Sequence, residues 1–268
     1  MLICSTSTSP KHAVISSDLA EAASASDDPT TGTIFAALID DPASALDNAD
    51  AYLGTIMAEA ASAGDNFDAT TGGVTIVTWN PSDKSANLVL SGGNLAAAIS
   101  AAGDNGVRAT NSAATGQLYF EVTTDTTGAS NGADTGIGIG SSAANLSLVG
   151  SNAVNAALAY LSGGSVYYNG SPSTKSMGAS ATAGNVYCVA VDLTNRRMWM
   201  RINGGNWWND AAANPATNTN GLDISSVFTS NAAFPLVTIN STTPHLTANF
   251  GASSFAQTIP GGFVAWQH

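Results

Sequence analysis

Runs of alternating hydrophobic and polar residues dominate the chain from about residue 74 onward. Residues 119–122 and 198–202 place every second side chain on one side of an extended backbone, which suits a strand with one buried face. Gly, Asn, Asp and Ser separate such runs at short intervals, as in all-β sandwiches and barrels. After a β segment that begins at 74–79, we predict strands at 87–90, 106–110, 117–123, 135–140, 156–161, 165–168, 185–192, 197–202, 233–239, 246–250 and 263–266.

Two Asn-Gly pairs mark tight turns in this region. Asn169-Gly170 and Asn203-Gly204 each follow a strand-like run. Both residue types tolerate the positive φ that a two-residue hairpin requires. We therefore expect each pair to connect two neighbouring antiparallel strands.

The first 70 residues have a different pattern, which predicts helices. Asp41-Pro42 supplies an N-cap followed by proline at the first helical position. A narrow apolar stripe with helical spacing then follows, formed by Leu46, Leu53, Ile56 and Met57. Such a stripe must pack on the β domain, on a copy of itself or on another protein. We predict two domains: an acidic α-helical region at 1–70 for anchoring or oligomerisation, and a β-sandwich at 71–268.

Charge is divided along the chain in the same way. The net charge is -12, and residues 1–70 contain eleven Asp or Glu residues against Lys11 alone. The remaining 198 residues contain eight acidic and six basic residues. Neither region offers the basic stripe that neutralises phosphates, so nucleic acid is not an expected partner. The sandwich surface must consist largely of Ser, Thr, Asn, Gly and Ala.

Residues with catalytic or metal-binding chemistry are scarce. Cys4 and Cys188 form no disulfide framework, and the apolar run around Cys188 predicts a buried thiol. His245 lacks a neighbouring nucleophile or acid in the sequence, which favours a surface position. The acidic pairs 27–28 and 40–41 and the pair Asp47 and Asp50 suit helix capping and a solvated face better than a calcium loop. We expect no cofactor, no metal and no catalytic residue.

Segments in the β region resemble an ordered set of motifs from one family. Residues 116–122 (GQLYFEV) and 136–140 (GIGIG) are similar to two consecutive strands of the SPRY (B30.2-like) domain. Residues 184–193 and 195–207 resemble the later hairpin segment of that family, and 234–237 and 248–251 resemble its last conserved elements. The resemblance implies a mainly β fold, an antiparallel SPRY/concanavalin-like jelly-roll sandwich preceded here by a short α-helical region. It also implies a binding scaffold, not an enzyme.

Two further segments resemble SPRY-type domains of tailed-bacteriophage structural proteins. They are residues 79–84 (WNPSDK) and the NPAT sequence at 214–217 that follows Asn206-Trp207-Trp208. This resemblance implies a virion component such as a head fibre, decoration, collar or tail-appendage protein. Its expected partners are other virion proteins, further copies of itself in a trimer or similar oligomer, and a host-surface glycan or protein. No signal peptide or membrane span is apparent, which predicts synthesis in the host cytoplasm.

The candidate binding residues surround two adjacent tryptophans. If Trp207 and Trp208 continue a strand, their side chains point to opposite faces and only one can enter the core. The other would be exposed beside Arg201 or Asn206, where an indole suits contact with a sugar or a protein. Asp210 opens the inserted loop that follows. The alternative function is therefore a lectin-like module that recognises host-surface carbohydrate. No pair of carboxylates at a recognisable spacing favours a polysaccharide-cleaving enzyme.

Overall fold

The computed structural model describes residues 76–125, 135–147, 153–178, 182–243 and 245–266. The predictions for residues 1–70 lie outside the described residues. They include the helical region, the acidic pairs, Cys4 and the anchoring residues Leu46, Leu53, Ile56 and Met57.

Two antiparallel sheets form the described domain. The strands are β1 (Trp79–Lys84), β2 (Leu88–Ser91), β3 (Ala96–Ile99), β4 (Asn105–Ala109), β5 (Gln117–Thr124), β6 (Gly136–Gly140), β7 (Ala156–Tyr160), β8 (Ser165–Tyr168), β9 (Ser171–Ser176), β10 (Val186–Asp192), β11 (Arg197–Ile202), β12 (Leu222–Asp223), β13 (Phe234–Ile239), β14 (Leu246–Asn249) and β15 (Val264–Ala265). A short α-helix, α1 (Ser225–Phe228), precedes β13.

Strands far apart in the sequence lie side by side in both sheets. The first sheet has the order β1-β4-β13-β6-β7-β8-β9, and the second has β12-β11-β10-β5-β14-β3-β2. The short strand β15 adds to β5 in parallel, beyond the end of β14. Thus β13 joins two groups of strands in the first sheet, and β14 does the same in the second.

The alternation of side chains explains how the sheets pack together. In the second sheet Phe120, Val189 and Met200 form one cross-strand row and are buried. In the first sheet the row of Val107, Val237 and Ile137 is buried as well. These rows belong to one continuous hydrophobic core. Removal of this apolar area from water supplies the main driving force for the sandwich.

A buried arginine fastens the edge strand β1 to the first sheet. The guanidinium of Arg108 donates to both carboxylate oxygens of Asp83 at 2.7 and 2.8 Å. Its Nη1 donates to the carbonyls of Ser141 at 3.2 Å and Ala144 at 2.7 Å. The planar guanidinium can form two parallel hydrogen bonds with a carboxylate and still donate to a loop, whereas a lysine ammonium cannot form that paired contact.

The predicted β-sandwich is confirmed, and each predicted strand overlaps an observed one. The prediction missed β3, β9 and β12. β3 reads AAAI and β9 reads SPSTKS, so neither alternates between hydrophobic and polar residues. β9 is an edge strand, where polar residues and proline are tolerated.

One of the two predicted hairpins is correct and the other is wrong. Asn169 and Gly170 have φ of 50° and 76° and join β8 to β9. Asn203 also has positive φ, but the chain leaves the sheet after it instead of returning as the next strand. The Asn203 side chain accepts a hydrogen bond from the Val186 amide at 2.9 Å, so it fastens the end of β11 to β10.

Candidate binding surface

The candidate surface is built on the segment between β11 and β12, which we call the 203–221 loop. A 3-10 turn at Trp207–Asn209 opens it, and a second at Pro215–Thr217 follows. Asn214 and Thr219 pair as an isolated antiparallel bridge around the second turn. The loop is therefore hydrogen-bonded to itself, as a preformed recognition surface would be.

Both tryptophans of this loop are buried, which corrects the expectation that one ring is exposed. Trp207 is 9% exposed and Trp208 is 4% exposed. The two residues do not continue a strand, because Trp208 adopts a left-handed conformation with φ 52° and the turn directs both rings inward. The Trp208 Nε1 donates to the Met198 carbonyl at 3.0 Å. An exposed indole for sugar stacking is thus absent from this pair.

Arg201 and Trp207 do lie together, as their proximity in the sequence predicted. The Arg201 guanidinium lies over the Trp207 ring with its central carbon 4.5 Å from the ring centroid. Its Nη2 donates to the Thr258 carbonyl at 2.9 Å. This cation–π contact covers one face of the indole with a side chain of the same chain. The pair stabilises the loop and does not present a free aromatic face.

The outer rim of the 203–221 loop is polar. Asn206 is exposed, and Asp210 is partly exposed and accepts hydrogen bonds from the Ala212 amide at 2.9 Å and from Asn220 Nδ2 at 3.2 Å. Asn214 accepts from the Ala216 amide at 3.0 Å. Further exposed amide and hydroxyl side chains complete the rim, which we define as Asn206, Asn209, Asp210, Asn214, Thr217, Asn218, Thr219 and Asn220.

A second segment, the 251–263 loop, covers the outer face of the second sheet. Glu121 is 2% exposed and its carboxylate accepts hydrogen bonds from the Ala256 amide at 2.8 Å and the Gln257 amide at 2.9 Å. Tyr119 Oη also donates to this carboxylate at 2.7 Å. The Phe255 ring packs edge-on against Tyr119, with centroids 4.9 Å apart. This role of Glu121 was not predicted, although an acidic residue within an apolar strand is a signal of a buried acceptor.

Trp199 connects the two loops. It is fully buried, and its Nε1 donates to the Thr219 carbonyl at 2.8 Å. The Phe263 ring meets it edge-on with centroids 6.4 Å apart. A Cβ at Gly221 would lie 2.6 Å from the Trp199 ring, so any larger residue would force the buried indole to shift. The rim is therefore positioned by buried aromatic residues beneath it.

The remaining predicted groups are not part of the rim. Cys188 is buried, as predicted, and burial raises the pKa of its thiol. His245 is exposed directly before β14, in agreement with a surface role. Within the described ranges, His, Cys, Asp and Glu side chains form no group of three or more that could hold a metal ion. A search of the same residues finds no helix with the length and hydrophobicity to cross a membrane.

Comparison with known proteins identifies the fold. The chain matches no protein-family profile and no curated protein. It is similar to the SPRY domain of human HERC1, with 13% identity over 66% of this chain and 99% of that chain and a TM-score of 0.52. A human SPRY domain (12% identity, 64% of this chain and 99% of that chain, TM-score 0.45) and the TRIM65 PSpry domain (12%, 65% and 91%, 0.44) also match. The HERC1 similarity shows a SPRY-like sandwich, which confirms the predicted fold of the described domain.

Proposed function

We propose that this chain is a structural protein of a bacteriophage particle, with a SPRY-like domain displayed for binding. It would serve as a head fibre, decoration, collar or tail-appendage component, with residues 1–70 attached to the particle. The SPRY-like fold supports a binding role, because such a scaffold carries recognition on its loops. The sequence resemblance at 79–84 and 214–217 supports the phage assignment.

The observation that carries this proposal is the unequal distribution of charge. Among Asp, Glu, Lys and Arg of the described residues, only Asp125 and Asp223 belong to the exposed class. Residues 1–70 hold eleven of the nineteen acidic residues of the chain. A surface with few fully exposed charges, on which partly exposed acidic and basic side chains nearly balance, lets copies of a domain approach closely with little repulsion, whereas the acidic region supplies a separate contact.

The buried ionisable groups of the domain support binding over catalysis. Glu121 is occupied by two backbone amides and a tyrosine hydroxyl, and Arg108 is occupied by Asp83 and two carbonyls. Both groups hold loops against strands. Side chains that are fully committed to internal hydrogen bonds maintain a surface and are not poised to exchange protons with a substrate.

Deletion of residues 1–68 tests the attachment. We expect the remaining domain to stay folded, with the circular dichroism and cooperative melting of a β-sandwich, but to be missing from assembled particles. A second test variant carries alanine at Leu46, Leu53, Ile56 and Met57 in the full chain, and we expect it to lose incorporation as well. Normal incorporation of the deletion protein would contradict the anchoring role. Light scattering of the full chain measures the proposed trimer or other symmetric oligomer.

The second candidate is a lectin-like role for the same displayed domain. Its support is the rim of the 203–221 loop, where amides and hydroxyls are exposed and held by internal hydrogen bonds. Since Trp207 and Trp208 are buried, their substitution would test folding and not contact. The informative variants are Asn206→Ala and Asp210→Ala, compared with wild type on a glycan array. Unchanged glycan binding in both variants would remove the rim from this role.

A further inference from the structure

A second concave surface lies at one end of the second sheet, where β5 begins and β10 ends. It is an open cleft of about 420 Å³, and its lining includes Gln117, Asp192, Thr194, Asn195, Gly262 and Val264. This volume falls within the range of small-molecule sites. The cleft involves none of the rim residues defined above.

The buried carboxylate of Asp192 fixes the two amide side chains of this cleft. Asp192 is fully buried, and its Oδ2 accepts from Gln117 Nε2 at 2.9 Å and from Asn195 Nδ2 at 2.8 Å. Its Oδ1 accepts from the Asn195 backbone amide at 2.7 Å. Because the carboxylate is already hydrogen-bonded at both oxygens, it acts as a positioning group and does not itself face a ligand.

This arrangement leaves the amide oxygens available. Each NH₂ group is directed to Asp192, so the Gln117 Oε1 and the Asn195 Oδ1 are oriented away from that carboxylate. Neither oxygen accepts a hydrogen bond from another described residue. The exposed Thr194 uses its Oγ1 to accept from the Gly116 amide at 3.2 Å, which leaves its hydrogen free to donate. The cleft therefore offers two preorganised acceptors and one hydroxyl donor.

An apolar side chain completes the cleft. Val264 is 54% exposed although it lies in strand β15. Gly262, two residues earlier, has φ of 88°, and a Cβ there would lie 2.9 Å from Gln117 Oε1. Glycine at this position therefore lets the backbone approach the amide oxygen closely. The hydrophobic Val264 and the polar acceptors lie on the same small surface.

The chemistry of the lining selects a class of ligand. Two amide acceptors beside a buried carboxylate disfavour anions, since the lining residues named above include no cation. A bare metal ion is disfavoured because both Asp192 oxygens already accept hydrogen bonds from N–H donors and the side chain is fully buried. A neutral ligand with adjacent hydroxyl donors and a C–H face suits two acceptors next to a valine.

We propose that this cleft binds a neutral saccharide, with vicinal hydroxyls on Gln117 Oε1 and Asn195 Oδ1 and a C–H face of the ring on Val264. This proposal rests on the display function only for the biological source of the sugar. The binding chemistry is argued from the residues of the cleft alone. Few contacts and an open shape give weak affinity per site, which repetition of the chain on a particle would multiply.

Saturation-transfer NMR on the full chain tests the proposal. The probes are glucose, galactose, mannose and N-acetylglucosamine, with the anionic sugar N-acetylneuraminic acid for comparison. We expect at least one neutral sugar to bind and Val264→Asp and Asn195→Ala to weaken that binding by about tenfold or more. Val89→Asp is the matched control, because Val89 is also an exposed strand valine, at 49% exposure, on the distant β2. We expect Val89→Asp to bind as wild type, and all variants are checked for unchanged melting temperature.

Three outcomes would overturn the cleft assignment. They are no transfer to any neutral sugar, transfer only to N-acetylneuraminic acid, and equal binding by wild type and Val264→Asp. Measuring incorporation into particles distinguishes absence of the sugar site from failure of the proposed display function. Val264→Asp should enter particles normally whether or not the sugar site exists, whereas deletion of residues 1–68 should not.

Discussion

At the residue scale, buried polar side chains in this domain join segments that are distant in the sequence. Glu121 holds the 251–263 loop, Asp192 orients Gln117 and Asn195, and Arg108 joins β1 to the 141–144 segment. A buried polar group is stable only when its hydrogen bonds are made, so each of these residues specifies one arrangement of its loop.

Cys188 provides a residue-level test of the packing around β10. Because the side chain is fully buried and burial raises the pKa of its thiol, little reactive thiolate is present and reagents have no access. In a Cys4→Ser background, we expect Cys188 of the folded protein to react with a disulfide reagent at about one hundredth of the rate in guanidinium-unfolded protein, or more slowly still. The measurement is the rate of release of the coloured thiol.

The control for this reaction is an exposed thiol on the same fold. Ser91→Cys, combined with Cys4→Ser and Cys188→Ala, places a cysteine at an exposed end of β2. It should react in the folded protein at nearly the unfolded rate. Fast reaction of Cys188 under native conditions would contradict the described packing.

Gly138 tests the close approach of β6 to its neighbour. A Cβ at Gly138 would lie 2.0 Å from the Ala157 carbonyl oxygen, and backbone cannot move aside as a flexible side chain can. We expect Gly138→Ala to lower the free energy of unfolding by about 3 kcal/mol or more, or to prevent folding. Urea denaturation measures the change.

Gly204→Ala is the matched substitution at an open position. The nearest atom to an added Cβ there is Gln257 Oε1 at 3.6 Å, an ordinary contact. We expect a change within about 1 kcal/mol. Similar losses in the two variants would show that the contact with Ala157 does not determine the effect.

At the element scale, the carboxylate of Glu121 holds the middle of the 251–263 loop. In Glu121→Gln, an NH₂ group replaces an oxygen that now accepts from the amides of Ala256 or Gln257, so one hydrogen bond is lost and two donors face each other. We expect the loop to open more readily, by about 1–3 kcal/mol. Hydrogen exchange of the Ala256 and Gln257 amides should accelerate while the amides of β10 remain protected.

Thr123→Ala serves as the control, because Thr123 lies two positions along β5 and is only half-buried. Exchange in the 251–263 loop should be unchanged in that variant. If Glu121→Gln also leaves the loop amides unchanged, the carboxylate does not hold this loop.

Strand elements could be predicted from sequence wherever hydrophobic residues alternated or clustered, as in β5, β10 and β11. The same reasoning could not find β9, whose polar residues are acceptable only because the strand lies at an edge. It also could not place Trp208, because a left-handed residue inside a loop depends on tertiary packing. The pairing of Gln117 with Asp192 spans 75 positions and has no local signature.

At the scale of the whole molecule, acid stability should be controlled by a few carboxylates. Hydrogen bonds from the Ser225 side chain and backbone, together with Arg197, lower the pKa of Asp223 to about 2. Burial raises the pKa of Asp192, but hydrogen bonds from Asn195 and Gln117 outweigh it and the net pKa is lowered. A pKa that is lower in the folded state stabilises the fold above the unfolded value of about 3.9.

We therefore expect the melting temperature to fall as the pH decreases from about 4 toward about 2, where Asp223 becomes protonated in the folded state. Asp223→Asn should have a lower melting temperature than wild type at neutral pH, and the two curves should converge as the pH falls below about 2. Parallel curves over this range would contradict the contribution of Asp223. Differential scanning calorimetry at a series of pH values provides the measurement.

The positions of β13 and β14 have a consequence for biosynthesis. Each is the strand that unites two halves of its sheet, and both come late in the sequence. In a nascent chain on the ribosome, β1 can pair with β4 and β5 can pair with β10 before β13 and β14 are synthesised. The other edges of β4 and β5 would remain unpaired until then. Closure of both sheets then requires long-range pairing, which is slow and leaves apolar edges open to aggregation. Incomplete chains released before β13 should accumulate in inclusion bodies or with chaperones.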